Sequence, residues 1–280
     1  MVWNQNGIAY PAWTAGDHER LNARMARMLR RASFVIYQSG FCRDMADRYL
    51  GPCAVPGEVV HNAVDTSFFV PRREIALRSS DAVQLLVMGS HENPGRVMAA
   101  LDAVSLLNRE RVPARLLIAG RLAWPRAREE VEARILQAGL ADRVVIRGPY
   151  GQEEAPDIYR SADILLHLKY ADPCPSVVIE AMSCGLPVIG SLSGGLPELV
   201  GQGGGAGGIL LSVPLDMRQL YLPSPRMAAD AVRSVLEHYR EFSESARRRA
   251  VERFDAKKWL ERHKEIFDQV LSMDRRREAG

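Results

Sequence analysis

Residues 162–190, ADILLHLKYADPCPSVVIEAMSCGLPVIG, run from one short apolar stretch through a proline-bounded loop and an amphipathic segment into a second apolar stretch. The first, ending near Leu168, and the last, PVIG, have the length of strands. The segment Ser176–Cys184 between them has helical spacing. Strand, helix and strand in that order read as a parallel crossover. The alternation continues outward on both sides. VQLLVMG (83–89), ARLLIAG (114–120) and VVIRG (144–148) precede this unit, and GILLSV (208–213) follows it. Helical segments near Gly95–Leu107, Arg128–Ala138 and Glu153–Ser161 fall between them. Near-continuous apolar strands alternating with helices call for a parallel sheet covered on both faces. The expected fold class is α/β, with residues 73–255 as a complete Rossmann-like domain.

Before that domain the pattern is shorter. A helix from His18 to Arg31 leads into the strand ASFVIYQS, a helix from Gly40 to Tyr49, and a short strand and turn within EVVHNAVDTSFFVP (58–71). One crossover and a fragment do not complete a sheet. Residues 1–72 are therefore read as a partial N-terminal domain whose front lies before Met1. After it, Ser224–Met273 is helical in pattern, with residues 256–280 set apart as a C-terminal helix and tail whose DRRREAG end frays.

Composition narrows the function classes. Hydrophobic residues at 47% and charged residues at 25% suit an ordinary globular protein able to bury its own core. No apolar run reaches the roughly 18 residues of a membrane span, and the first residues lack a basic and apolar leader. Cys42, Cys53, Cys174 and Cys184 form no CxxC pair, and the six histidines form no HExxH helix. Reduced thiols in a cytoplasmic protein and the absence of a metal site follow as expectations. A net charge of +3 is too weak to argue for nucleic acid.

In open parallel sheets, ligands bind beyond the carboxyl ends of strands. The loop holding Lys169, Asp172, Pro173 and Pro175 is one such place, and the helix after it begins near Ser176 with unpaired amides that favour an anion such as a diphosphate. Asp172 and Glu180 are eight residues apart and could line one cleft. Equally, Asp172 could cap its loop and Glu180 could be a solvated helix residue. In PVIGSLSGGLPELVG, Gly194–Gly195 would allow a close backbone approach to a ligand or make an ordinary turn. Other signals are discounted. Gly203, Gly205 and Gly208 spell GxGxxG but precede a strand rather than link a strand to a helix. Cys174 lacks a partner base and reads as packing. Arg20, Arg24, Arg27 and Arg31 share a helix face opposite Leu21, Met25, Met28 and Leu29, the pattern of a solvated face or of peripheral contact with anionic lipid.

The run DPCPSVVIEAMSCGLPVIGSLSGGLPELV resembles the donor-site signature of family 4 glycosyltransferases: an acidic residue, seven residues and a Glu, then EAMxxGxPV and GGxPE. IYQSGF, HNAVDTSFFVP, LLIAG, VVIRGPYG and SADILLH resemble the family's successive landmarks in order, so the likeness covers nearly the whole chain. It implies a GT-B type fold with the C-terminal Rossmann-like domain as donor site. The implied reaction is transfer of a sugar from a nucleotide-sugar donor to a carbohydrate or lipid-linked acceptor hydroxyl, with retention, in cell-surface polysaccharide or lipopolysaccharide synthesis. By the same resemblance Asp172 lies near the donor sugar and reaction centre, and Glu180 binds the ribose. Ser176 and Val177 face sugar or phosphate, Gly194 and Gly195 run along the phosphates, and Gly148–Gly151, with Tyr150, lie near the base. No cofactor or metal is implied, because cationic side chains neutralise the leaving diphosphate.

Two positions depart from the family pattern. Asp172 stands where Glu is usual. Ser90, in the loop GSHENPGR, stands where Arg is usual, which leaves Arg96 as the candidate, or else His91 or Lys169, to meet the phosphates; Arg96 could equally be a solvated residue at the start of a helix. The family's early N-terminal loops, which bind the acceptor, are expected to precede Met1. A truncated, non-catalytic nucleotide-sugar-binding module is the alternative reading, and a GT-B epimerase ranks below both.

Overall fold

The structure, a computed structural model, describes residues 1–14, 17–72 and 81–278, with side chains described as far as residue 273. The boundary expected at residues 72–73 abuts residues 73–80, which lie outside the described residues, as do 279–280 of the expected tail.

The first lobe is a small parallel sheet of β1 (Val2–Gln5), β2 (Phe34–Tyr37) and β3 (Gly57–Val59), in that order. The turn α1 (Pro11–Thr14) and helices α2 (His18–Leu29) and α3 (Gly40–Leu50) complete it. Sequence reading found β2, α2 and α3 but not β1. VWNQ has no apolar run, and its Gln5 is buried only because its side chain accepts from Trp3 Nε1 at 2.7 Å and donates to the Gly7 carbonyl. On α2 the buried positions are Asn22, Ala26 and Leu29, whereas Leu21 is exposed.

The second lobe is a six-stranded parallel sheet. Its strands are β4 (Val83–Met88), β5 (Ala114–Ala119), β6 (Val144–Gly148), β7 (Ile164–His167), β8 (Val188–Ser191) and β9 (Gly208–Leu211), each matching an apolar run of the sequence. The order is β6-β5-β4-β7-β8-β9. Along β4 the side chains alternate between two cores. Val83, Leu85 and Val87 join α4 (Gly95–Arg109) and α5 (Ala127–Gln137) on one face. Leu86 and Met88 join α6 (Ala155–Arg160), α7 (Ser176–Ser183) and α8 (Leu196–Val200) on the other. After β4 the chain moves outward to β6, then returns to the other side of β4 at β7. The order of winding therefore switches between β4 and β7, which is where a doubly wound sheet opens a crevice.

Three helices close the chain: α9 (Pro225–Glu237), α10 (Tyr239–Arg253) and α11 (Ala256–Glu278). The first two cover the second lobe, and α11 crosses back to the first. There Ile266 and Val270 pack on Phe34 and Ile36, and Arg262 pairs with Glu58, whose carboxyl it holds below its ordinary value. The crossing lies beside the earlier linker, joined by Val64 N–H to Phe254 O (3.0 Å) and Ala256 N–H to Val64 O (2.9 Å). Among the described residues, no helix is long and apolar enough to cross a membrane.

Because Ile266 is fully buried, Ile266→Val is expected to destabilise the first lobe by about 1 kcal/mol. Urea denaturation followed by Trp3 fluorescence checks this. An unchanged midpoint would detach α11 from the first lobe's core.

Candidate functional site

The crevice is built first by backbone. Between β7 and α7, residues 168–175 turn sharply at Ala171, which holds a left-handed conformation (φ 49°) with its N–H on Ser193 Oγ at 3.0 Å. The glycine pair following β8 fits against this turn. Gly195 N–H donates to Asp172 O at 2.9 Å, and a Cβ on Gly194 would stand 2.7 Å from Asp172 N. The close approach expected of Gly194 and Gly195 is thus to the chain's own Asp172–Pro173 backbone.

That turn places the Asp172 carboxylate, which is buried, between two donors. His167 Nε2 lies 3.1 Å and Lys169 Nζ 3.2 Å from its Oδ2. Burial alone pushes the carboxyl up, but the hydrogen bonds and charge around it prevail and hold it at about 2. Burial drives the His167 imidazole below its ordinary value, so the neutral ring donates through Nε2. Its Nδ1 is buried without a hydrogen-bond partner among the described residues.

Across the switch, at the end of β4, lie Ser90, His91 and Arg96. His91, one of the alternatives to Arg96 for meeting the phosphates, has both ring nitrogens engaged within the protein. Its ring is fully buried and bonded through Nε2 to Ala119 O at 3.1 Å, while Nδ1 accepts Arg96 Nε at 2.9 Å. Burial and the nearby guanidinium lower its pKa to about 3, so it stays neutral and serves to aim Arg96. Arg96 also donates to the Ser90 carbonyl. Its guanidinium is buried and makes no ion pair among the described residues, with Asp172 and Glu92 as the carboxylates acting on it through space.

Helix α7 starts beside this loop, with Val177 Cγ1 3.5 Å from where a Cβ on Gly89 would stand. Pro175 provides no side-chain cap, and the N–H groups of Ser176 and Val177 have no acceptor among the described residues. One turn further in, Glu180 accepts the Tyr159 hydroxyl at 2.7 Å. Tyr159 is fully buried, and burial raises the pKa of Glu180 above its ordinary value. Tyr150, at the end of β6, lies close enough for the Glu180 charge to help burial push its phenol to about 12. Gly148 ends the same strand with φ +80° and open space where a Cβ would stand.

The opposite wall comes from the first lobe, and sequence reading missed it. Residues 6–13 cross in front of the Asp172 loop. Burial and the Asp172 charge push the Tyr10 phenol to about 12. Two cavities meet here. One, of about 140 Å³, includes Ser90, Arg96, Tyr10, Trp13 and Lys169 in its lining. The other, of about 600 Å³, is lined by Tyr10, Trp13, Arg24, Lys169 and Asp172 among others. Tyr10, Trp13 and Lys169 line both. Loop residues 212–224 reach over from the second lobe, with Met217 O accepting Ala12 N–H at 2.9 Å.

Glu198 fastens the two lobes, another role the sequence did not show. Its carboxylate accepts from Gly40 N–H (2.8 Å), Phe41 N–H (3.1 Å) and His61 Nε2 (2.9 Å), at the start of α3. Cys174 is a packing residue, with burial raising its thiol to about 12.

Residues 72–252 match the family model described as Glycosyl transferases group 1. The chain is 35% identical over 146 residues to a D-inositol 3-phosphate glycosyltransferase of Mycobacteroides abscessus, an alignment covering 47% of this chain and 30% of that protein. It is 24% identical over 253 residues to the lipopolysaccharide core biosynthesis mannosyltransferase LpsB of Rhizobium meliloti, covering 85% of this chain and 70% of that one. The crystal structure of Anabaena HepE in complex with UDP superposes with a TM-score of 0.75 at 21% identity, covering 96% of this chain and 72% of the other.

Proposed function

Because this chain belongs to the glycosyl transferases of group 1, we propose that its cleft binds a nucleotide sugar and passes the sugar to a carbohydrate hydroxyl. The observation carrying this reading is the uncapped start of α7, with free amides at Ser176 and Val177, set between the buried carboxylate of Asp172 and the half-buried one of Glu180. The diphosphate would lie on those amides, facing Lys169 and Arg96. Those cations would stand in for a metal, and no cofactor is part of the proposal. Glu180, oriented by Tyr159, would accept the ribose hydroxyls, with the base toward Gly148 and Tyr150.

Asp172 is ionised at neutral pH and cannot donate a proton. Its role would be to accept hydroxyl protons of the donor sugar and to favour positive charge developing at the anomeric carbon. The two cavities share Tyr10, Trp13 and Lys169, so an acceptor in the larger would lie beside Lys169, which the diphosphate would face. Transfer with retention is part of this reading through the resemblance to family 4 glycosyltransferases. The name of the lipopolysaccharide relative supports a cell-surface glycan as the setting, and HepE crystallised with UDP-glucose supports a nucleoside-diphosphate donor.

Calorimetric titration of the chain with a panel of nucleotide sugars tests the reading. One nucleotide family should bind saturably, and Glu180→Ala should weaken it by at least about tenfold, the effect of losing a charged hydrogen-bond acceptor. Equal affinity in the variant would remove Glu180 from the site. No binding by the folded wild-type chain would end the donor assignment.

A further inference from the structure

We propose that the donor sugar is a 6-deoxyhexose whose C-6 methyl lies against Leu220 and Leu222, in the loop that reaches over the smaller cavity. This rests on the transferase reading above and names the class of sugar transferred. The loop, residues 212–224, joins β9 to α9. Tyr170 O–H donates to Pro214 O at 2.8 Å, Asp216 N–H donates to the same hydroxyl at 2.8 Å, and Tyr221 packs on the Tyr170 ring with centroids 5.8 Å apart. Val213 and Met217 are buried in the first lobe's core with Ile8 and Tyr10, so the loop is fastened to both lobes. Leu220 and Leu222, on either side of Tyr221 in sequence, stay outside that core. They line the smaller cavity and are 45% and 41% exposed. Leu222 reaches the start of α4, where a Cβ on Gly95 would stand 2.8 Å from its Cδ1.

The lining of this cavity, about 140 Å³ in volume, divides by segment. Glu92, Asn93, Arg96 and Lys169 bring charged and amide groups, whereas the loop's share is leucine side chains alone. A diphosphate facing Arg96 and Lys169 would deliver its sugar here, beside Asp172, which lies 3.2 Å from Lys169 Nζ. The ring hydroxyls then have Asp172 and Asn93 as partners. The exocyclic C-6 projects beyond the rim of the ring, and the loop meets it with carbon. A methyl there covers the two leucines and removes apolar surface from water. A hydroxymethyl would trade its water for side chains that hold neither donor nor acceptor. An acetamido group would bring an N–H and a C=O to the same wall, with the same loss.

Calorimetric titration of the full chain with nucleotide sugars matched except at C-6 reads this preference. The pairs are GDP-mannose with GDP-rhamnose, dTDP-glucose with dTDP-6-deoxyglucose, and UDP-glucose with UDP-6-deoxyglucose. The free nucleotides serve as reference, and UDP-N-acetylglucosamine is the acetamido probe. In the nucleotide series that binds, the 6-deoxy member should bind at least about tenfold more tightly than its parent, within the range over which an apolar pocket separates a methyl from a hydroxyl. Leu222→Asn should bring the ratio of the two affinities to about one, and Leu222→Met should keep most of it. Because the ratio is taken within each variant, a general loss of affinity does not mimic the effect. Equal affinities, a tighter parent or acetamido sugar, or a ratio that survives in both Leu220→Asn and Leu222→Asn would overturn the proposal. Its fate is separable from the donor reading: nucleotide binding that depends on Glu180, without a C-6 preference, sinks this inference alone. No binding of any nucleotide sugar by the folded chain ends the donor reading and this inference with it.

Discussion

Gly195→Ala lowers the stability of the chain by about 3 kcal/mol, at the upper end of what overpacking costs. At Gly195 the backbone has φ −85° and ψ 0°, which alanine adopts freely, so conformational preference is not the cause. The cost is steric. A Cβ there would stand 2.9 Å from the Pro173 carbonyl carbon, closer still to its oxygen, and 3.2 Å from Ser39 Cβ. Two of these three atoms are backbone of the turn that carries Asp172, so relief requires that turn to move. Gly204→Ala is the control, since a Cβ there meets nothing within 4 Å. Urea midpoints for the two variants should separate clearly, and donor affinity should fall in Gly195→Ala alone. Equal midpoints would mean that the glycine pair does not support the Asp172 turn.

Glu198→Ala costs about 2–3 kcal/mol, because one carboxylate satisfies two backbone amides at the start of α3 and the His61 ring. Removing it leaves those donors partly buried without an acceptor. The same carboxylate makes the joint between lobes sensitive to acid. Burial pushes its pKa up, but the bonds from His61, Gly40 and Phe41 outweigh burial and lower it from 4.5. A depressed carboxyl contributes stability that is full above the unfolded value and lost as pH falls through the folded one. In thermal melts from about pH 6 to pH 3, the wild type should therefore lose its advantage over Glu198→Gln as the pH drops. Parallel curves would show that the charge of Glu198 does not hold the lobes.

The six strands of the second lobe were legible as apolar runs because a parallel strand covered on both faces must be apolar throughout. The start of α7 was legible from Pro173, Pro175 and the apolar period that follows. β1 was not, because VWNQ owes its strand to pairing with β2 and its buried glutamine to local hydrogen bonds. Asp172 and Glu180 could be named as candidates from their spacing and family context. Their hydrogen-bond partners, His167 and Tyr159, could not, because each looks like one residue of an apolar segment until the sheet is assembled.

The sequence by itself determined the α/β class, the alternation of elements and the residue types at the mouth of the crevice. These depend on local periodicity and on neighbours a few residues apart. Tertiary structure alone decided that His91 is buried to aim Arg96, that Gly194 and Gly195 support the Asp172 turn, and that Glu198 caps a helix 158 positions before it. It alone brought Tyr10, Trp13 and Arg24 to face Asp172 across one cavity. Each of these is a pairing between distant segments, and the depth of burial that sets its energy exists only once both lobes have closed around it.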